Sequence, residues 1–146
     1  MFNLKKSKQQ RKYEKTRLLE SFDYYNNKLT SFYDSKDDEH LLWCINRYYK
    51  FCLYWYSDEP EKIYLAEVKV FKRFRNKGFG NILLKHAKYL AKNYFKHNNF
   101  KLLFLKVNKN TWKYHWYIRN GFELYENSSQ YKDETNIWCW LKFNII

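Results

Sequence analysis

Residues 62–108 constrain this chain more than any other stretch. They run from an alternating strand-like segment, "KIYLAEVKVF", through "KRFRNKGFG" into an amphipathic helix, and then into a second strand, "FKLLFLKVN". Glycine is scarce, with only three residues at Gly78, Gly80 and Gly121. Two of them stand one residue apart at the strand-to-helix turn. Glycine costs about 0.5–1 kcal/mol in regular structure relative to Ala, so it is kept where φ must be positive or where a Cβ would collide. The turn therefore has to admit something close to its backbone.

The helix is expected from about Asn81 to Lys96. Leu83, Ala87, Leu90, Ala91 and Tyr94 form its apolar face at three- and four-residue spacing, and Lys85, Lys88, Lys92 and Lys96 form the opposite one. The strand that follows is nearly continuous in apolar residues, as suits a central parallel strand buried on both faces. A helix N-terminus after a strand offers unpaired N–H groups and the positive end of the helix dipole. With Arg73, Arg75 and Lys77 beside it, the turn is suited to an anionic phosphate group, in particular a pyrophosphate. The dinucleotide fingerprint fails because Leu83 holds its third glycine position, and the Walker pattern is absent.

Upstream, "HLLWCIN", "KFCLYWYS" and "KIYLAEVKVF" predict three strands in a meander, with the only proline, Pro60, between the last two. From Lys12 to Tyr33 the apolar spacing reads as one or two helices, and "DSKDDEH" as a polar loop or a helix start in which Ser35 to Asp38 has the look of a capping box. Downstream, "NTWKYHWYIRNGF" predicts a short helix closed by Gly121 as a left-handed cap. "FELYEN" and "TNIWCWLKF" predict a terminal hairpin. Residues 1–12 read as a basic tail and 13–146 as one domain.

The net charge is +13, and half of the 28 basic residues lie between Val68 and Phe122, where there is no Asp or Glu. Lysine-rich, alanine-poor composition of this kind also follows from an AT-rich coding sequence. Its one-sided placement still favours phosphate-bearing ligands or anionic polymers. No apolar run approaches the roughly 20 residues of a membrane span. Cys44, Cys52 and Cys139 are odd in number, lack CxxC spacing and read as buried reduced thiols. The expectation is a cytoplasmic protein, with no membrane partner and no metal.

Two motifs resemble the GNAT superfamily of N-acetyltransferases. The family's coenzyme A loop, [RQ]-x-x-G-x-[GA], is matched by Arg75-Asn-Lys-Gly78-Phe-Gly80. Its later pattern N-x-x-A-x-x-x-Y-x-x-x-G-F is matched by Asn110, Tyr117, Gly121 and Phe122, with Lys113 at the small residue. Lys72 stands where a proline is common. The resemblance covers Leu41 to Phe143 in element order and Ala66 to Phe122 in residues. It implies an α/β (α+β) fold: a mixed, mostly antiparallel sheet whose fourth and fifth family strands splay apart, flanked by helices.

By the same resemblance the co-substrate is acetyl-CoA. Backbone groups of Val68 and Val70 would meet its pantetheine amides. The loop of Arg75, Asn76, Lys77, Gly78, Phe79 and Gly80, with Asn81 opening the helix, would bind its pyrophosphate. Asn110 would face the acyl end, and Tyr117 would protonate the departing thiolate. Glu67 is the best-placed general base, with Glu123, Glu126 and His115 as alternatives. His40, His86 and His97 read as helix or loop residues. The implied reaction is direct attack of a primary amine on the acetyl group, the acceptor being unspecified. A basic surface disfavours polyamines and aminoglycosides, and favours an anionic acceptor. The alternatives are a modifier of aminoacyl-tRNA or DNA, and a catalytically silent nucleic-acid-binding scaffold. A homodimer is compatible with either.

Overall fold

The computed structural model describes residues 22–24, 27–93, 99–127 and 137–145. The basic tail and the start of the expected N-terminal helices lie outside them, as do Lys96 and the 128–136 connection. Eight strands form one sheet: β1 (Phe22–Tyr24), β2 (Asn27–Lys36), β3 (Glu39–Ile45), β4 (Tyr49–Tyr56), β5 (Lys62–Val70), β6 (Leu102–Asn108), β7 (Glu123–Asn127) and β8 (Trp138–Asn144). Their order is β1-β2-β3-β4-β5-β6-β8-β7, and every neighbouring pair is antiparallel except β5–β6. Among the described residues two α-helices, α1 (Phe79–Asn93) and α2 (Trp112–Arg119), follow β5 and β6.

The meander β3–β4–β5, the parallel crossover to β6 and the terminal β7–β8 pairing agree with the sequence reading. The helices expected up to Tyr33 do not: residues 27–36 form β2, paired along β3 from Thr30↔Ile45 to Lys36↔Glu39. Leu29, Phe32 and Tyr33 satisfy a helical period, but Thr30, Phe32 and Tyr33 also suit a strand, and pairing with β3 decides between them. The Ser35–Asp38 segment is not a helix cap. Asp37, at φ +55°, begins a tight turn between β2 and β3, a conformation that Asp tolerates.

One face of the sheet carries the main core. Leu42, Phe51, Leu53, Ile63, Leu103, Leu105 and Leu141 alternate inward from successive strands and meet Leu83, Leu84, Ala87 and Leu90 of α1. His86 lies in the same layer, fully buried, with Nδ1 at 2.7 Å from the Tyr49 hydroxyl. Burial lowers its pKa to about 4, so the ring is neutral at physiological pH. Cys44, Cys52 and Cys139 are buried free thiols, as expected.

Lys88 departs from the solvated stripe. It is half-buried, donates to the Asn120 carbonyl at the end of α2, and sits 4.1 Å above the Phe143 ring centroid. Lys85 and Lys92 are exposed. Among the described residues no helix is long and apolar enough to cross a membrane, and no group of His, Cys, Asp and Glu could hold a metal ion.

Candidate active site

Two irregularities of β5 open the site. Its parallel register with β6 lasts only three pairs, Lys62↔Leu102 to Tyr64↔Phe104, after which the strands part. On its other side, the β4 register jumps from Cys52↔Ala66 to Lys50↔Lys69, so β5 carries one extra residue there. That bulge contains Glu67, at φ +54°. A non-glycine residue in this region is strained by about 1–3 kcal/mol and is held by its surroundings. Glu67 is exposed and lines the cleft beside which β6 parts from β5.

Beyond Val70 the chain makes a short 3₁₀ turn, Lys72–Phe74, and enters the glycine loop. Aromatic packing fixes the loop. Tyr48, from the β3–β4 connection, stacks on Phe79 at 4.2 Å and meets Phe74 edge-on at 4.8 Å. Arg75 donates Nε–H to the Val70 carbonyl at 3.0 Å, tying the loop to the strand that precedes it.

The glycines answer to two different demands. Gly78 has φ +86°, and a Cβ there would meet nothing within 4 Å, so its backbone is left open to the cleft. Gly80 has an ordinary φ, but a Cβ there would stand 3.0 Å from Cζ2 of Trp116. What approaches that turn most closely is an indole of α2. The same ring donates Nε1–H to Asn81 Oδ1 at 2.9 Å, joining the start of α1 to α2. Within α1, Ile82 donates to the Gly78 carbonyl at 3.4 Å, whereas the N–H groups of Phe79, Gly80 and Asn81 have no backbone acceptor among the described residues. These are the donors a phosphate group needs.

Tyr117 follows on α2, buried, between the rings of Trp116 and Phe122. Its hydroxyl makes no hydrogen bond among the described residues. Burial raises its pKa to about 12, so the phenol stays protonated. After α2, Gly121 takes φ +92° as the expected left-handed residue, and an added Cβ would press on the Phe143 ring at 3.3 Å.

These parts enclose a cleft of about 1030 Å³. Glu67, Val68, Val70, Arg75, Asn76, Gly78, Phe79, Gly80, Asn81 and Tyr117 all line it. Lys77 is exposed and does not. Asn110 also stands outside the lining, exposed in the turn after β6, with its backbone N–H donated to Asn108 Oδ1 at 3.0 Å. Of the four candidate bases only Glu67 reaches the cleft. Glu123 and Glu126 lie on β7, and His115 packs on Tyr114. The lining also includes residues that the sequence reading did not place there, among them Lys50, Lys69, Trp112, Trp116 and Arg119. Only the four- and three-residue spacing of Trp112, Trp116 and Arg119 along the helix that also carries Tyr117 could have suggested the last three.

The cleft's volume, its free N–H groups and the open space at Gly78 fit a nucleotide-bearing thioester such as acetyl-CoA. Comparison with solved structures agrees in fold. A GNAT-family protein from Desulfovibrio desulfuricans superposes with a TM-score of 0.60 at 14% identity, over 75% of this chain and 71% of that one. A Vibrio cholerae spermidine/spermine N-acetyltransferase, in complex with manganese ions, gives 0.56 at 14% identity over 75% and 67%. A Bacillus subtilis acetyltransferase in complex with CoA gives 0.57 at 12% identity over 75% and 78%. No curated protein matches the sequence. The family model described as "Acetyltransferase (GNAT) family" matches residues 8–122, most of the chain, and the chain therefore belongs to that family of acetyl-CoA-dependent enzymes.

Proposed function

We propose that the chain transfers an acetyl group from acetyl-CoA directly to a primary amine, with Glu67 as base and Tyr117 as acid. The observation that carries this reading is the convergence of three things in one cleft. They are the carboxylate on the β5 bulge, a buried protonated phenol, and the unpaired N–H groups at the start of α1. The N–H groups of the Gly78–Asn81 segment and Arg75 hold the pyrophosphate. The backbone of Val68 and Val70, past the end of the β5–β6 pairing, meets the pantetheine amides. Acetyl-CoA supplies an acetyl group already activated as a thioester.

The chain's residues move the protons. The acceptor ammonium gives one proton to Glu67, which returns it to solvent. The nitrogen lone pair then forms the C–N bond as the C–S bond breaks. Tyr117 gives its proton to the thiolate sulfur and is reprotonated, through solvent, by the proton that the new amide nitrogen loses. A phenol near pH 12 is a weak acid in water, but the desolvation that raises it also raises the basicity of a thiolate leaving beside it. The products are an N-acetylated amine, a free thiol and one released proton.

The test is calorimetric titration of the purified chain with acetyl-CoA, after mass spectrometry has checked for co-purified CoA. Saturable binding at one site per chain supports the reading. Folded, CoA-free protein that does not bind would overturn it.

A further inference from the structure

Lys50 of β4 and Lys69 of β5 are directly opposed in the sheet register, immediately beside the Glu67 bulge. Like charges placed opposite each other across two strands destabilise the pair. Both lysines line the cleft, and among the described residues neither forms an ion pair. Lys50 is half-buried, with Nζ 5.8 Å from the Trp43 ring centroid, which limits its freedom to swing away. Strand alternation puts both on the face that bears Cys52 and Ala66, opposite the one on which α1 packs. The loop and α1 thus approach the gap from one face of the sheet, and the lysine pair from the other.

We propose that the acceptor is a primary amine that also carries a carboxylate or phosphate. Lys50 and Lys69 hold that anionic group, and Glu67 receives the proton of the amine. This rests on the acetyl-transfer reading above and names its second substrate. An anion between the two lysines turns their repulsion into two charge-assisted hydrogen bonds. The pair also serves the chemistry: nearby positive charge disfavours an ammonium, so a larger fraction of the acceptor stands as the free amine that attacks. A polycation cannot make those hydrogen bonds and meets two like charges at the cleft, which sets this chain apart from the Vibrio cholerae spermidine/spermine N-acetyltransferase. The covalent step is unchanged: the amine nitrogen gains the acetyl carbon, the thiolate takes a proton, and the anionic group stays intact.

Calorimetry of the CoA-loaded full chain against matched acceptors tests this. The pairs are O-phosphoethanolamine with ethanolamine, glutamate with glutamine, and a peptide whose free N-terminus is followed by Asp-Glu with its Asn-Gln counterpart; spermidine is added alone. In at least one pair the anionic member should bind about tenfold tighter or more than its neutral partner. The pair that responds separates a free metabolite from a peptide. Lys50→Gln and Lys69→Gln should each remove most of that preference while leaving affinity for acetyl-CoA within about twofold. Equal binding within every pair, tightest binding of spermidine, or a preference that survives both substitutions would overturn the proposal. If acetyl-CoA itself does not bind, the failure belongs to the transferase reading beneath it.

Discussion

A Cβ on Gly80 would stand 3.0 Å from Cζ2 of Trp116, and that indole also donates to Asn81 Oδ1 at 2.9 Å. The glycine and the tryptophan are therefore one device, which fixes the start of α1 against α2 across the cleft. Gly80→Ala should gain up to about 1 kcal/mol of helix propensity but displace the ring. The expected outcome is near-neutral stability with several-fold weaker acetyl-CoA binding. In a Trp116→Phe background the same change should become stabilising by about 0.5–1 kcal/mol, because the colliding atom is gone. Urea unfolding of the four proteins measures the coupling, and additive effects would mean that the contact does not matter.

Tyr117→Phe removes the one buried phenol that lines the cleft among the described residues while keeping its packing on Trp116 and Phe122. A general acid contributes about 10²- to 10⁴-fold, so turnover should fall at least that far while CoA affinity stays within about twofold. Because burial holds the phenol near 12, the wild-type rate should show no alkaline loss due to Tyr117 up to about pH 11. Steady-state kinetics across pH, with thiol release as readout, decides it. Full activity in Tyr117→Phe would assign the acid elsewhere.

Much of this site was legible in the chain, and the reasons differ from part to part. The Arg75–Gly80 loop and the Asn110–Phe122 spacing are local patterns, each within one turn or helix, and local patterns survive in sequence. Lys50 and Lys69 reach the site through strand register, and Tyr48 through the connection between two paired strands, neither of which a local window encodes. The Glu67 bulge was invisible for the same reason: an extra residue in β5 can be counted only against β4. Residues 27–36 mislead because Leu29, Phe32 and Tyr33 satisfy two periods at once, and only the partner strand β3 chooses. Gly80 was read as making room for a ligand, yet the nearest neighbour of its missing Cβ is Trp116, an unspecified position of the family's later motif, immediately before Tyr117.

His86 gives the fold a pH dependence. Its pKa falls from 6.5 to about 4 because burial disfavours the charged ring. The unfolded chain then binds more protons than the folded one between these values. Stability contributed by His86 is complete above about pH 6.5 and is lost as pH falls toward 4. Subtracting the unfolding free energy of His86→Leu from that of the wild type should give a difference that shrinks on acidification from pH 7 to 4.5. At most it shrinks by on the order of 3 kcal/mol. A difference independent of pH would show that the ring is accessible or already charged.

Lys88 should behave as a structural residue and not as a phosphate ligand. Its ammonium caps the Asn120 carbonyl and lies over Phe143 and Phe122, and burial lowers its pKa. Lys88→Gln should cost about 1–2 kcal/mol of stability and leave salt-dependent binding of a polyanion such as heparin unchanged. Lys85→Gln with Lys92→Gln should do the reverse if that face binds polyanions, and neither if it does not.

Glu67 combines a strained backbone with the carboxylate proposed as base, so stability and activity should separate there. At φ +54° any L side chain is strained, and glycine is not. Glu67→Gln keeps the strain and removes the proposed base; Glu67→Gly removes both. Both variants should lose turnover to a similar degree, about 10²-fold or more, with acetyl-CoA affinity retained. Glu67→Gly should nevertheless be more stable than Glu67→Gln by up to about 1 kcal/mol, since the unstrained residue no longer has to be held by its neighbours. Thermal unfolding beside a turnover assay reads both quantities. If Glu67→Gly is the less stable of the two, the bulge is being stabilised by the side chain itself, and the carboxylate has a structural role.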